Sequence, residues 1–112
     1  MEERFRKFEA SKQAAVKLSI AAEDFFRENL PENWKKAYGT YLQQRIRPAS
    51  ELLIREEDIE KLQILCDLQW FPDQQLDDFL QLACREHKLC AYVWLLKRKR
   101  EKLGFSPRDF SL

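Results

Sequence analysis

Glycine and proline are scarce in this sequence, with two and four occurrences among 112 residues. Good helix formers such as Leu, Glu, Lys, Gln and Ala are common instead. The sequence therefore predicts an all-α protein. Since 45% of the residues are hydrophobic and 35% charged, we expect a folded globular chain that buries roughly two thirds of its unfolded surface, not a disordered one.

Long apolar runs are also missing. No stretch approaches the roughly 18 to 20 apolar residues that cross a bilayer, and the charged start MEERFRKFEASK is not followed by a signal-peptide core. We therefore expect a cytoplasmic protein with no membrane partner. The net charge is only +1, from 20 basic and 19 acidic residues, so nucleic acid would have to bind a local patch.

The sequence has three cysteines, an odd number without a secretion signal, which favours reduced thiols over disulfides. Cys66, Cys84 and Cys90, with the single His87, are residue types that hold zinc, but the Cys-x2-Cys pairing typical of structural zinc sites is absent. With a turn at residues 86–88, Cys84 is expected in the core and Cys90 at the rim. We predict that they pack as small hydrophobic residues and bind no metal.

Catalytic motifs are absent as well. A Cys84–His87 nucleophile pair would need an orienting third group, which nothing in the sequence specifies. No Gly-rich phosphate loop or metal-binding pair of carboxylates is visible. The expectation is a protein that is not an enzyme and carries no cofactor, with an enzyme or metal protein as a remote alternative.

Helical spacing of apolar residues runs through the first 47 residues. Residues 3–29 predict one long helix, whose apolar face holds Phe5, Phe8, Ala15, Ala22 and Phe26. Pro31 suits the first turn of a second helix over PENWKKAYGTYLQQRIR. These two longer helices match no family and are expected to cap one end of the structure as residues 1–46.

Shorter elements follow. Pro48 predicts a boundary, after which PASELLI, EEDIEKLQILCDLQW, FPDQQLDDFLQLACRE and LCAYVWLLKRKREKL each read as a helix. Gly104 is expected to stop the last of these. The tail, residues 105–112, begins at Phe105 and has Ser106, Pro107 and Asp109 in positions that predict one further helical turn.

An internal repeat links these shorter helices. Shifting the chain by 30 residues lays ELLIREEDIEKLQILCD over QLACREHKLCAYVWLLK, so that Arg55 falls on Arg85, Ile59 on Leu89 and Leu65 on Leu95. Each copy reads as a short helix, a polar turn and a longer helix. A period near 30 built from helix pairs is typical of a stacked solenoid, in which neighbouring units bury each other's apolar faces.

The second copy, LACREHKLCAYVWLL, resembles the helix-turn-helix centre of an ankyrin repeat. The matching positions are Leu82, Ala83, Arg85, Glu86, Leu89, Leu95 and Leu96. The first copy matches more loosely, at Leu52, Arg55, Glu56, Ile59, Glu60, Leu65 and Cys66. The resemblance covers residues 48–103 and implies a small solenoid of two degenerate helix pairs, placed at residues 47–104 of a single domain.

Aromatic residues supply the candidate binding positions, because aromatic side chains are enriched at interface hot spots. The candidates are Trp34, Tyr38, Tyr41, Trp70 and Phe71. Trp70 and Phe71, beside Pro72 in the loop between the copies, are expected to resist burial, whereas Trp94 is expected in the core. The leading hypothesis is a non-catalytic protein–protein interaction module whose partner and oligomeric state the sequence leaves open.

A basic block ends the last helix and carries the alternative hypothesis. It consists of Lys97, Arg98, Lys99, Arg100 and Lys102. Five cations can neutralise several phosphates, which would suit a nucleic-acid-associated accessory protein. Cations at a helix C-terminus are also stabilised by the helix dipole, so a solvated helix end is the simpler explanation of the block.

Overall fold

The computed structural model describes residues 2–102, and seven α-helices with one 3-10 turn occupy most of them. The helices are α1 (Glu2–Ala10), α2 (Ala14–Asp24), α3 (Glu32–Gln44), α4 (Ile46–Glu56), α5 (Ile59–Asp67), α6 (Leu76–Arg85) and α7 (Leu89–Lys102), and the 3-10 turn is Asp73–Gln75. This range contains no β-strand, so the predicted all-α class is confirmed. The predicted stop at Gly104 and the turn in residues 105–112 lie outside the described residues.

The chain divides into two compact units, Met1–Ala49 and Ser50–Leu112, which we call the N-terminal and the C-terminal unit. In the N-terminal unit α2 packs against both α1 and α3. In the C-terminal unit α6 packs against α7, and α5 also contacts α7. No helix in the described range is both long enough and apolar enough to cross a membrane.

The predicted single helix over residues 3–29 is wrong, because the chain leaves the helical conformation between α1 and α2. The Ser11 hydroxyl accepts the backbone N–H of Gln13 at 3.1 Å, and Gln13 has extended dihedral angles. A serine side chain that bonds to nearby backbone offers the chain an alternative to the helical hydrogen bond. The region expected to hold two longer helices therefore holds three shorter ones.

An aromatic cluster fills the core of the N-terminal unit. Phe5 and Phe8 on α1 are buried. Tyr38 on α3 meets both rings edge-on, with centroids 5.5 and 4.9 Å away. Edge-to-face packing of this kind adds to the free energy gained from burying apolar surface. The pattern of aromatic residues on α1 and α3 therefore holds these two helices together.

A buried carboxylate lies beside this cluster. Asp24, at the end of α2, is only 1% exposed. Its oxygens accept Nε–H of Arg4 at 2.8 and 3.0 Å and Nε–H of Arg27 at 3.0 Å. Burial raises the pKa of Asp24, but the hydrogen bonds from Arg4 and Arg27 outweigh it and hold the pKa below its usual range.

Pro48 lies inside α4, near its start, and not at a boundary as predicted. α4 begins two residues earlier, at Ile46. Proline is tolerated there because the first N–H groups of a helix have no intrahelical acceptor. The helix then continues to Glu56, beyond the short segment PASELLI.

Two turns of the same geometry join the helices of the C-terminal unit. Glu57 lies between α4 and α5 with φ of 54°, and His87 lies between α6 and α7 with φ of 58°. In each turn the N–H of this residue donates to the carbonyl three residues earlier, and the next N–H donates to the carbonyl five residues earlier. This is the hydrogen-bond pattern of a Schellman motif, which satisfies the last carbonyls of a helix.

The core of the C-terminal unit uses positions that correspond under the 30-residue shift. Leu53 and Ala83 are both buried, and so are Leu65 and Leu95. Phe79 is fully buried as well. These residues lie on α4, α5, α6 and α7, so each of the four helices contributes a buried side chain to this unit.

Candidate functional site

The aromatic candidates of the N-terminal unit are tied into its packing. Tyr38 is 1% exposed, so its ring belongs to the core and offers almost no surface to a partner, contrary to what a binding position requires. Trp34 is half-buried and stacks on Phe5 with a centroid distance of 4.9 Å. Tyr41 is half-buried, and its hydroxyl donates to the carbonyl of Ala14 at 3.3 Å. Trp34 and Tyr41 keep part of their surface in solvent, and Tyr38 does not.

Phe71 is buried, contrary to the expectation that it resists burial. Its ring meets Trp94 edge-on at 5.4 Å and Phe79 at 5.6 Å. Gln69 has a φ of 64°, and this left-handed residue turns the chain back after α5. Phe71 is thereby placed against the core, whereas Trp70 remains half-buried.

Trp94 is half-buried and not fully in the core as predicted. Its indole Nε1–H donates to the side-chain oxygen of Gln63 at 3.3 Å. The ring therefore lies between α5 and α7, with its polar edge satisfied by a side chain of α5. This position makes Trp94 part of the contact between the two helices.

The cysteines differ from their predicted positions. Cys84 is exposed, not buried, because the buried face of α6 is formed by Leu76, Phe79, Leu82 and Ala83. Cys90 is exposed as expected, and Cys66 is buried. Burial raises the pKa of the Cys66 thiol to about 11, which keeps it protonated at neutral pH. Among residues 2–102, no three His, Cys, Asp or Glu side chains converge in a way that would hold a metal ion.

Three cations of the basic block lie against acidic side chains. Arg98 donates to both oxygens of Asp73, at 2.9 and 3.0 Å, and Lys102 lies 3.3 Å from the same carboxylate. Lys99 lies 2.7 Å from Asp77. Burial raises the pKa of Asp73, yet the hydrogen bonds from Arg98 and Lys102 outweigh it and lower the pKa overall. These cations are therefore partly neutralised inside the C-terminal unit.

The other two basic residues face solvent. Lys97 and Arg100 are exposed, and Lys97 lines an open groove of about 280 Å³ together with Gln63 and Trp94. Glu60 and Glu101 line the same groove. Because acids and bases alternate there, the groove is not a continuous basic surface.

The most exposed large apolar side chains of the described range lie on or next to α5 and α7. Ile64 on α5 and Leu68, the residue that follows α5, are 39% and 42% exposed, and Leu89 and Val93 on α7 are 73% and 64% exposed. We call them the four exposed apolar residues. None was proposed as a binding residue from the sequence, although the repeat alignment had already paired Ile64 with Trp94 and Leu89 with Ile59.

Polar contacts fix α5 and α7 against each other. The Glu57 carboxylate, just before α5, accepts the backbone N–H of Cys90 at 2.8 Å and of Ala91 at 3.2 Å. Further along, Gln63 meets Trp94. The contact points advance in the same direction on both helices, so α5 and α7 run parallel. Arg55, at the end of α4, pairs with Glu86 at 3.0 Å and adds a parallel contact between the two turns.

Comparison with known proteins found no matching family model, no matching curated protein and no matching solved structure. The ankyrin-like resemblance therefore stays a prediction.

Proposed function

We propose that this chain is a non-catalytic protein–protein interaction module that binds through α5 and α7. The observation that carries the proposal is the concentration of the four exposed apolar residues on or next to these two helices. Scattered single apolar residues are normal on a protein surface, but Leu89 and Val93 are the most exposed large apolar side chains of residues 2–102 and form a pair on one helix, which marks a candidate binding face. Leu89 and Val93 lie four residues apart and therefore share one face of α7.

Preorganisation of this surface supports the proposal. α7 is held by the packing of α6, by the Glu57 carboxylate at its first turn and by the Arg98–Asp73 ion pair near its end. A partner that binds such a rigid helix loses little conformational entropy of the module. Full burial of a Leu or Val side chain contributes about 1.5–3 kcal/mol, so Leu89 and Val93 supply the core of a modest interface.

The ankyrin-like solenoid is part of the same proposal. Its support is the pair of Schellman turns at Glu57 and His87, which lie at the same point of the two sequence copies. In addition, Arg55 of the first copy forms an ion pair with Glu86 of the second copy. Stacked helix pairs of this kind present extended surfaces rather than enclosed pockets, which fits recognition of another protein better than catalysis.

A role in binding nucleic acid, the alternative, has less support. Phosphate would have to displace Asp73 and Asp77 from Arg98, Lys99 and Lys102. Changing Lys97, Arg98, Lys99 and Arg100 together to Gln should leave retention on DNA or RNA at low salt unchanged. A loss of retention in that variant, together with a gain in Asp77→Asn, would support the alternative instead.

Partner capture from the native cell tests the main proposal. The Leu89→Ser, Val93→Ser double variant should lose the captured partner, because its apolar face on α7 becomes polar. Lys36→Ser, Gln43→Ser is the matched control, since both positions are exposed on α3 of the N-terminal unit. Capture that is equal in the wild type and both variants would show that α7 is not the binding surface.

A further inference from the structure

We propose that copies of this chain associate head to tail, with α7 of one copy packing against α5 of the next. The inference rests on the proposed function and names its partner as a second copy of the chain. It comes from the existing contact between α5 and α7, which would be repeated between molecules.

An open groove lies between the two helices, and across it the Trp94 indole N–H donates to the side-chain oxygen of Gln63. Ile59 and Gln63 of α5 line one side of the groove, and Trp94 and Arg98 of α7 line the other. Each pair is four residues apart, so each lies on one face of its helix. The face of α5 that meets α7 therefore differs from the face of α7 that meets α5.

The 30-residue shift converts these four positions into the four exposed apolar residues. Ile59 and Gln63 become Leu89 and Val93, which are the most exposed large apolar side chains of the described range. α7 thus presents to solvent the same face that α5 presents to α7.

The opposite side of the contact transposes in the same way. Trp94 and Arg98 shift back by 30 to Ile64 and Leu68, which are 39% and 42% exposed. α5 therefore presents to solvent the face that α7 presents to α5. The four positions that correspond to Ile59, Gln63, Trp94 and Arg98 are therefore exposed on one chain, and all four carry apolar side chains.

The ion pair between the two copies also has a counterpart between two molecules. Arg55 pairs with Glu86 within the chain at 3.0 Å. Shifted by one copy, Arg85 of one molecule faces Glu56 of the next. Both side chains are exposed, and neither forms an ion pair with another residue in the described range. A second copy would supply each with an opposite charge, which favours the correct partner and orientation.

One contact has no counterpart, and its loss is compensated in part. Glu57 receives the first N–H groups of α7, whereas the corresponding residue of the second copy is His87. However, the helix to be received, α5, already has its own cap, because the Asp58 carboxylate accepts the N–H of Lys61 at 3.3 Å. Of the two N–H groups of α5 that correspond to those Glu57 receives in α7, the one of Lys61 therefore already has an acceptor.

A second copy fits better than an unrelated helix because each exposed face has its complement on the same chain. Such a contact is heterologous, since it joins two different surfaces, and it leaves one free face at each end of every assembly. The association is therefore expected to continue beyond a dimer as the protein concentration rises.

Sedimentation velocity over a concentration series tests the proposal. The wild type should increase in mass with concentration and exceed a dimer. Val93→Glu places a charge on the α7 face alone, and Ile64→Glu places one on the α5 face alone. Each of these spoiled variants should weaken association by more than about tenfold, since a carboxylate buried without a partner is costly. Gln81→Glu on the exposed side of α6 is the control and should behave as the wild type.

Mixing the two spoiled variants gives the decisive result. Ile64→Glu retains an intact α7 face and Val93→Glu an intact α5 face, so the mixture should form a one-to-one dimer that grows no further. An interface between two identical faces would give no such recovery. The charge-reversed pair Arg85→Glu, Glu56→Arg in one chain should likewise associate better than either single change.

Two outcomes would overturn the proposal, namely a wild type that stays monomeric at the highest concentration reached, or spoiled variants that do not form a dimer when mixed. If another protein is nevertheless captured and lost in the Leu89→Ser, Val93→Ser variant, the interaction module stands and only the partner is wrong. If capture ignores that variant as well, both proposals fail. Circular dichroism of each variant checks that its helices remain intact.

Discussion

Glu57 caps a helix that begins 32 residues after it, because its carboxylate accepts the backbone N–H of Cys90 at 2.8 Å. The same oxygen also accepts the N–H of Ala91. A carboxylate at this place satisfies donors that have no intrahelical acceptor and interacts favourably with the helix dipole. Glu57, in the turn between α4 and α5, thus holds the start of α7, the helix that follows the turn at His87.

Replacing Glu57 with Ala should lower the free energy of unfolding by about 1 kcal/mol, the usual cost of losing a helix cap. Glu57→Gln keeps an oxygen that can accept the same N–H groups but removes the charge, so it should cost less. Urea denaturation of the three proteins measures both effects. Equal stability of Glu57→Ala and the wild type would mean that water replaces the carboxylate at no cost.

His87→Gly should stabilise the protein by about 0.5–1 kcal/mol. His87 has a φ of 58°, where glycine avoids the steric cost that other residues experience, although the flexibility of the unfolded glycine offsets part of the gain. Glu57→Gly is the matched comparison at 54°, because there the gain is offset by the lost cap. Equal changes in the free energy of unfolding of the two glycine variants would contradict either the steric cost of the left-handed conformation or the capping role of Glu57.

The repeat alignment predicts much of the C-terminal unit. It places Leu65 on Leu95, and both side chains are buried. It also places the polar turns of the two copies together, and both contain a left-handed residue. Burial and turns follow from periodicity because each copy is a local helix pair whose apolar face is set by its own sequence.

Other features depend on interactions that the spacing of apolar residues along the chain cannot predict. The break after α1 comes from a single serine side chain that bonds to Gln13, and the pattern of apolar residues continues across it. Phe71 is buried because Gln69 adopts a left-handed conformation that no glycine signals. The exposure of Leu89 follows from the absence of a further helix on that face of α7 within the described range, which the residue's own apolar character cannot reveal.

Acid should destabilise the N-terminal unit through Asp24. Its folded-state pKa lies below the ordinary value, so its contribution is present above about pH 4 and is lost as the pH falls through the folded pKa. Asp24→Asn should lower the free energy of unfolding by about 2 kcal/mol at neutral pH, since hydrogen bonds to a charged group contribute about 1.5–3 kcal/mol. Its stability should also depend less on pH between 5 and 2. Parallel pH profiles of the variant and the wild type would contradict this assignment.

Alkali should destabilise the same unit through Tyr38. Burial, together with the nearby Asp24 carboxylate, raises the pKa of Tyr38 to about 12, whereas an unfolded tyrosine ionises near pH 10. Because the folded pKa is the higher one, the contribution is complete below about pH 10 and is lost as the pH rises towards 12.

Tyr38→Phe removes the ionisable hydroxyl and its 3.4 Å hydrogen bond to Asp24. The variant should therefore cost about 1 kcal/mol at neutral pH but lose less stability than the wild type in alkali. Free energies of unfolding at pH 7, 9 and 10.5 measure both effects, with Tyr92→Phe on the half-buried side of α7 as the control. Tyr38→Phe and the control losing equal stability between pH 9 and 10.5 would show that Tyr38 does not couple ionisation to folding.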